Sequence, residues 1–305
     1  MRLNILFAVF IAALVICTYP VFFYVEYAKA DLQFRHRLLE DSLIVNKLAE
    51  SCHNIDIPVF IINLERDHAR RKFQEKQHQL LGLSPSAFVR VEAIDGKKLE
   101  LKTHKDGFDE YLYNNEQDVV VDGAFGFHSR SIIACTLSHA TAIATAFNSG
   151  AEFAVIAEDD TSWILAPRWT VSLANLAKQM PDRTDAFTID LFSSRWFPAK
   201  GPAKGLAKNQ NKFGAVAYII NRSAMKKIVD NVMIGNGMRI MRSPSTKRLQ
   251  ADYYIHDVVA SRWNIEPSYV YPYNCNLTST LHSTHDYYHM LSARRVLKRY
   301  DKAIL

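Results

Sequence analysis

The chain has 305 residues, 49% of them hydrophobic, with 37 basic and 31 acidic side chains and a net charge of +6. That composition excludes a disordered chain and suffices for one sizeable globular domain plus an appendage. The basic residues are dispersed without a long block, which argues against nucleic acid as a partner and suits a polyanionic substrate or a membrane surface about equally.

Residues 3–25 carry no charge and are apolar almost throughout. The run exceeds the usual signal core of about 7–15 residues and reaches the roughly 20 needed to cross a bilayer. Residues 1–25 therefore read as a retained anchor of a single-pass membrane protein, an N-terminal helix joining the chain to the membrane. A signal peptide, with Ala28-Lys29-Ala30 as processing site, is the competing reading. Arg2 on one side and Lys29, Arg35 and Arg37 on the other leave the side of the membrane open. Residues 26–56 are charged, with Leu38, Leu39, Leu43 and Leu48 at helical intervals, and read as a stem.

From Pro58 the pattern changes. "PVFIINL" (58–64) is a buried strand, and 65–81 is a helix stopped by Gly82. "AFVRVEAIDG" (87–96) alternates Val89, Val91 and Ala93 before an Asp95-Gly96 turn. Residues 97–127 lack periodicity and read as a long loop. Residues 132–147 form a helix with Ile133, Leu137, Ala140 and Ala144 as its apolar stripe, ended by Asn148-Ser149-Gly150. "AEFAVIA" (151–157) is a strand that delivers Glu158, Asp159 and Asp160 to its carboxyl end. Further strands are predicted at 185–192 and 214–221, the second followed by a helix from Ser223, so the elements alternate as in an α/β layered fold. The domain spans 57–291, and the basic tail, 292–305, reads as a solvated end.

The four cysteines show no C-x-x-C spacing, which excludes zinc ribbons and thioredoxin-like motifs. The acid triplet is more informative. Adjacent carboxylates disfavour one another's ionisation, and a divalent cation relieves that cost. Oxygen donors suit Mn2+ or Mg2+, with phosphate and water filling the remaining positions. The strand end is also where ligands bind in open α/β sheets. The plain alternative is a solvated turn in which Asp159 or Asp160 caps the next segment.

Four stretches, "INLERDHARR" (62–71), "ACTLSH" (134–139), "VIAEDD" (155–160) and "GAVAYIINRSA" (214–224), together resemble the family-25 glycosyltransferases, and "EAIDG" (92–96) and "LTSTL" (277–281) look like further landmarks. That family includes bacterial lipooligosaccharide galactosyltransferases and animal procollagen galactosyltransferases. The resemblance implies a GT-A-like nucleotide-sugar-binding fold with a mixed, mostly parallel sheet. It implies transfer of a hexose, usually galactose from UDP-galactose, to a glycan or glycoconjugate acceptor with inversion. Carried onto this sequence, Glu158, Asp159 and Asp160 become the metal and diphosphate site. Asn63, Arg66 and Arg70 stand at the nucleotide end, the two arginines four apart on one helix face. Each arginine could instead make a helix-surface salt bridge with Glu65, Asp67 or Glu75.

Ser138 and His139 fit the family's S-H pair, His139 being either a substrate-orienting group or a hydrogen-bonded core residue. Ala134 stands where many members have Gly. Asp252 matches a family acid; it or the nearby Asp257 is the candidate base, and His282 is a candidate third metal ligand. The alternative function is a catalytically silent adhesion or binding protein on the same scaffold.

Overall fold

The computed structural model describes residues 51–297 except 85–86, 103–109, 115–117, 121–129, 181–184, 193–204, 209–214, 235–236, 242–248, 267, 273–292 and 294–295. In chain order the elements are β1 (Val59–Asn63), α1 (His68–Leu80), β2 (Phe88–Glu92), β3 (Glu100–Lys102), β4 (Glu110–Asn114), β5 (Asp118–Val120), α2 (Arg130–Asn148), β6 (Phe153–Glu158), β7 (Thr161–Ser162) and α3 (Leu173–Lys178). They continue with β8 (Thr188–Asp190), β9 (Gly205–Lys208), β10 (Ala217–Asn221), α4 (Arg222–Val232), β11 (Met233–Ile234), β12 (Gly237–Met241), α5 (Ala251–Val259), β13 (Arg262–Glu266) and β14 (Tyr271–Pro272).

Seven strands form the central sheet in the order β2-β1-β6-β10-β8-β13-β9. Strands β2, β1, β6, β8 and β13 run one way, and β10 and β9 run against them. The sheet is thus mixed and mostly parallel. Every residue of β1 and β10 is buried, because both faces of the sheet are covered. Phe60, Ile62, Ile156, Tyr218 and Ile220 face a layer built by α2, α4 and α5. Val59, Ile61, Val155, Ala217 and Ile219 face the other way, onto Trp163, Leu173, Leu176 and Phe187. Ala293, Val296 and Leu297, from the segment read as a basic tail, are buried in that second layer.

Several boundaries differ from those read in the sequence. Helix α1 begins at His68 because the Asp67 side chain accepts from the Arg70 backbone N–H, which turns residues 65–67 into a lead-in. The 97–127 stretch contains β3, β4 and β5, too short for periodicity to register; β4 pairs with β12, far along the chain. Asn221, in an N-x-S triplet, is buried and caps α4, accepting from Ala224 N–H at 3.0 Å and from Phe187 N–H at 3.1 Å.

The expectation of a single-pass membrane protein is corrected. Among the described residues no helix is long and apolar enough to cross a membrane. The longest of them, α2, lays its buried stripe on the sheet instead. The segment that prompted the expectation, 1–25, lies outside the described residues, as does most of the 26–56 stem.

Candidate functional site

Parallel register brings three strand ends to one edge. Ile62 lies opposite Glu158 and Asn63 opposite Glu92, so β1, β2 and β6 finish together. Strand β10 enters antiparallel, which brings its lead-in to the same edge, and Val216 C=O accepts from Glu158 N–H at 2.8 Å. The loops beyond that edge carry the acid triplet.

The three acids have three different environments. Asp159 is buried and fully engaged: Arg70 Nη1 donates to Oδ1 at 2.8 Å and Asn63 Nδ2 donates to Oδ2 at 2.7 Å. Burial still holds the Asp159 carboxyl above its usual range, with Arg70 and Asn63 pulling against it. Arg70 also lies 3.5 Å from Asp67 and 3.7 Å from Asp160; burial opposes its charge, but these carboxylates outweigh burial and strengthen its hold on the proton. The Asn63 side-chain oxygen Oδ1 accepts from Arg71 and Arg90, whose guanidinium groups also meet Glu65. Helix α1 fixes the loop from beneath. Gln74 Nε2 donates to the carbonyls of Asp159 and Thr161 at 2.8 and 2.9 Å, and Gln77 Nε2 donates to Thr161 at 3.0 Å.

Asp160 is different. Its Oδ1 is buried with no hydrogen-bond partner among the described residues. Burial, reinforced by Glu158 and Asp159 and opposed by Arg70, pushes its carboxyl up to about 7. Glu158 opens toward the cleft with 26% of its side chain exposed, and its Oε1 lies 3.5 Å from His139 Nε2. The His139 Nδ1 meets the Tyr218 hydroxyl at 3.1 Å. Cys135, one turn before His139 on α2, completes a group whose three ligand atoms lie within 4.8 Å of one another. Asp252, in the first turn of α5, accepts from Ala215 N–H at 2.5 Å; burial raises its carboxyl, Arg262 opposes this, and Glu158 adds to it.

Two cavities meet here. One of about 100 Å³ is lined by Arg70, Cys135, Ser138, His139, Glu158 and Asp159, among others. A second of about 740 Å³ includes Glu65, Glu92, Lys98, Thr141, Asn148 and Met238 in its lining. That volume lies in the usual range for small-molecule sites. Arg66, Ala93, Ile94 and Asp95 line both, so the cavities share a wall.

The sequence model of glycosyltransferase family 25 (LPS biosynthesis protein) matches residues 56–236, a span that holds β1, the acid triplet, Cys135 and His139. The chain belongs to glycosyltransferase family 25. Nothing among curated proteins matches it.

In this family-25 glycosyltransferase the residues singled out from the sequence divide. Asn63, Arg70, His139, Glu158, Asp159, Asp160 and Asp252 converge on the strand-end edge. Arg66 and Arg70 do not share a helix face. Arg66 precedes α1 and pairs with Asp95, whereas Arg70 lies inside α1 and pairs with Asp159. Ser138 Oγ donates to Ala134 C=O at 2.6 Å and accepts from Ile94 N–H at 2.8 Å, which holds the "EAIDG" loop against α2. Asp257 is half-buried on α5, and His282 lies outside the described residues. Sequence reading missed Cys135 as a possible ligand, although its four-residue spacing from His139 put both on one helix face. It also missed Tyr218, Gln74 and Arg90, for which only the fold supplies the neighbours.

Proposed function

We propose that this chain transfers galactose from UDP-galactose to a hydroxyl of a glycan or glycoconjugate acceptor, with inversion at the anomeric carbon, using the 57–291 domain together with Ala293, Val296 and Leu297, which pack into its core. The observation that supports this reading is the acid-bearing strand-end edge, where Glu158 faces a cleft that shares a wall with a cavity of about 740 Å³. A hard ion such as Mn2+ or Mg2+ takes one or two protein carboxylates and fills its shell with phosphate oxygens and water. Glu158, partly exposed, and Asp160, with a buried oxygen lacking a hydrogen-bond partner among the described residues, fit that demand. Asp159 does not, since both its oxygens are already engaged. When bound, such an ion supplies charge stabilisation to the departing nucleoside diphosphate.

The remaining work falls to the chain. Asp252 accepts the proton of the acceptor hydroxyl as that oxygen attacks the anomeric carbon, and the electron pair of the broken bond leaves on the diphosphate oxygen. Burial raises the Asp252 carboxyl, as befits a base, and its electrostatic contact with Glu158 and His139 favours Asp252 over Asp257. His139, held by Tyr218, orients the sugar. Arg66, 42% exposed on the shared wall, exchanges Asp95 for a phosphate oxygen. Asn63 and Arg70 act through Asp159 as positioning residues, and Ser138 acts by holding the loop at Ile94.

The test is transfer by the full chain from UDP-galactose with Mn2+ to a panel of glycans, read by mass spectrometry. A product one hexose heavier, and Asp252→Asn lowering kcat about 100-fold with donor affinity kept, is the expected result. Absence of product across a panel of sugar nucleotides would replace this reading with a silent binding protein.

A further inference from the structure

We infer that Cys135, His139 and Glu158 form a binding site for a thiophilic divalent ion of the zinc class, which shares Glu158 with the oxygen set above but adds a thiol and an imidazole. Helix α2 presents Cys135 and His139 one turn apart, and β6 ends at Glu158 in front of them. One thiol, one imidazole and one carboxylate make the mixed three-ligand set of an open zinc site, with a fourth position left for water or substrate. Bonds of about 2.0–2.3 Å place tetrahedral ligand atoms roughly 3.3–3.8 Å apart. His139 Nε2 and Glu158 Oε1 already stand at 3.5 Å, and all three ligand atoms lie within 4.8 Å, so small rotations close the set.

A second observation points to a ligand. His139 is 1% exposed, yet its Nε2, 3.5 Å from Glu158 Oε1, has no hydrogen-bond partner among the described residues. Its other nitrogen meets Tyr218 OH, the arrangement that fixes a metal-bound imidazole by donation from Nδ1–H. The surroundings favour a cation, because Glu158, Asp252, Asp160 and Asp159 all act electrostatically on the Cys135 thiol. Glu158 serves both donor sets, so an ion seated on Cys135 withdraws that oxygen from a hard ion.

The site is tested without nucleotide or acceptor, so its outcome is independent of the transfer reading. Titrating the full chain with Co2+ should give a thiolate-to-cobalt charge-transfer band that saturates at one equivalent, bleaches when Zn2+ is added, and is absent from Cys135→Ser. Tyr218→Phe should keep the band but weaken affinity about tenfold. In the unaltered protein, Zn2+ but not Mg2+ should slow alkylation of Cys135, read on its own peptide, which covers a Cys135→Ser protein that fails to fold. No thiolate band, a band that survives Cys135→Ser, or alkylation of Cys135 unchanged by Zn2+ would overturn the assignment.

Discussion

Asp159 and Asp160 are neighbours with opposite duties. Asp159 is internally neutralised, and its counter-charge Arg70 is only 14% exposed. Arg70→Ala strands a buried carboxylate and should cost about 3 kcal/mol in chemical denaturation. Arg66→Ala, at an exposed pair, should cost under about 1 kcal/mol; equal losses would contradict the separate placement of the two arginines. Asp160 carries a buried oxygen with no hydrogen-bond partner among the described residues, and burial outweighs the pull of Arg70 on its carboxyl. Asp160→Ala should therefore leave the melting temperature unchanged or raised while transfer falls roughly 10²–10³-fold, a loss of the size seen when charge stabilisation is removed. A fully active Asp160→Ala protein would remove Asp160 from the proposed metal set. The triplet itself was legible in the sequence, because three acids after an apolar run are costly unless something uses them. The division of labour was not, since the Arg70–Asp159 pair joins residues 89 positions apart.

At the level of elements, α1 determines where the acid loop sits. Gln74 ties two carbonyls of the loop to the helix, and its Oε1 accepts from Trp163 Nε1 at 3.1 Å. Gln74→Ala takes the partner from the Asp159 carbonyl and Trp163 Nε1, while Gln77 still holds the Thr161 carbonyl, and should cost about 2 kcal/mol, with looser donor binding measured in parallel. A neutral result would mean the loop holds itself. Helix α5, which carries Asp252, ends on Ala260 with φ 64°, the left-handed region that suits glycine. Ala260→Gly should therefore stabilise the fold by about 1 kcal/mol in the same assay without altering turnover. Elements with strong local patterns, such as β1, β6 and α2, were legible from apolar runs and stop residues. Strands β3, β8, β9 and β12 were missed or misjudged in length because pairing with distant partners, rather than local sequence, defines their ends.

For the whole molecule, alternation of strands and helices indicated the α/β class, but strand order and direction come from long-range pairing that no local pattern records. The antiparallel entry of β10 is the clearest case. It brings Ala215 and Tyr218 to the site, linking Asp252 and His139 to the acids of β6. The membrane assignment fared worse, because an apolar run read in isolation says how long a helix could be and nothing about the folded domain. The central claim is that this edge receives a nucleotide diphosphate through an ion on Glu158 and Asp160. The most direct measurement is calorimetric titration of the full chain with UDP-galactose, first with Mn2+ and then with chelator. Saturable binding that disappears on chelation is the predicted result; binding of equal strength with and without the metal, or no heat under either condition, would contradict it.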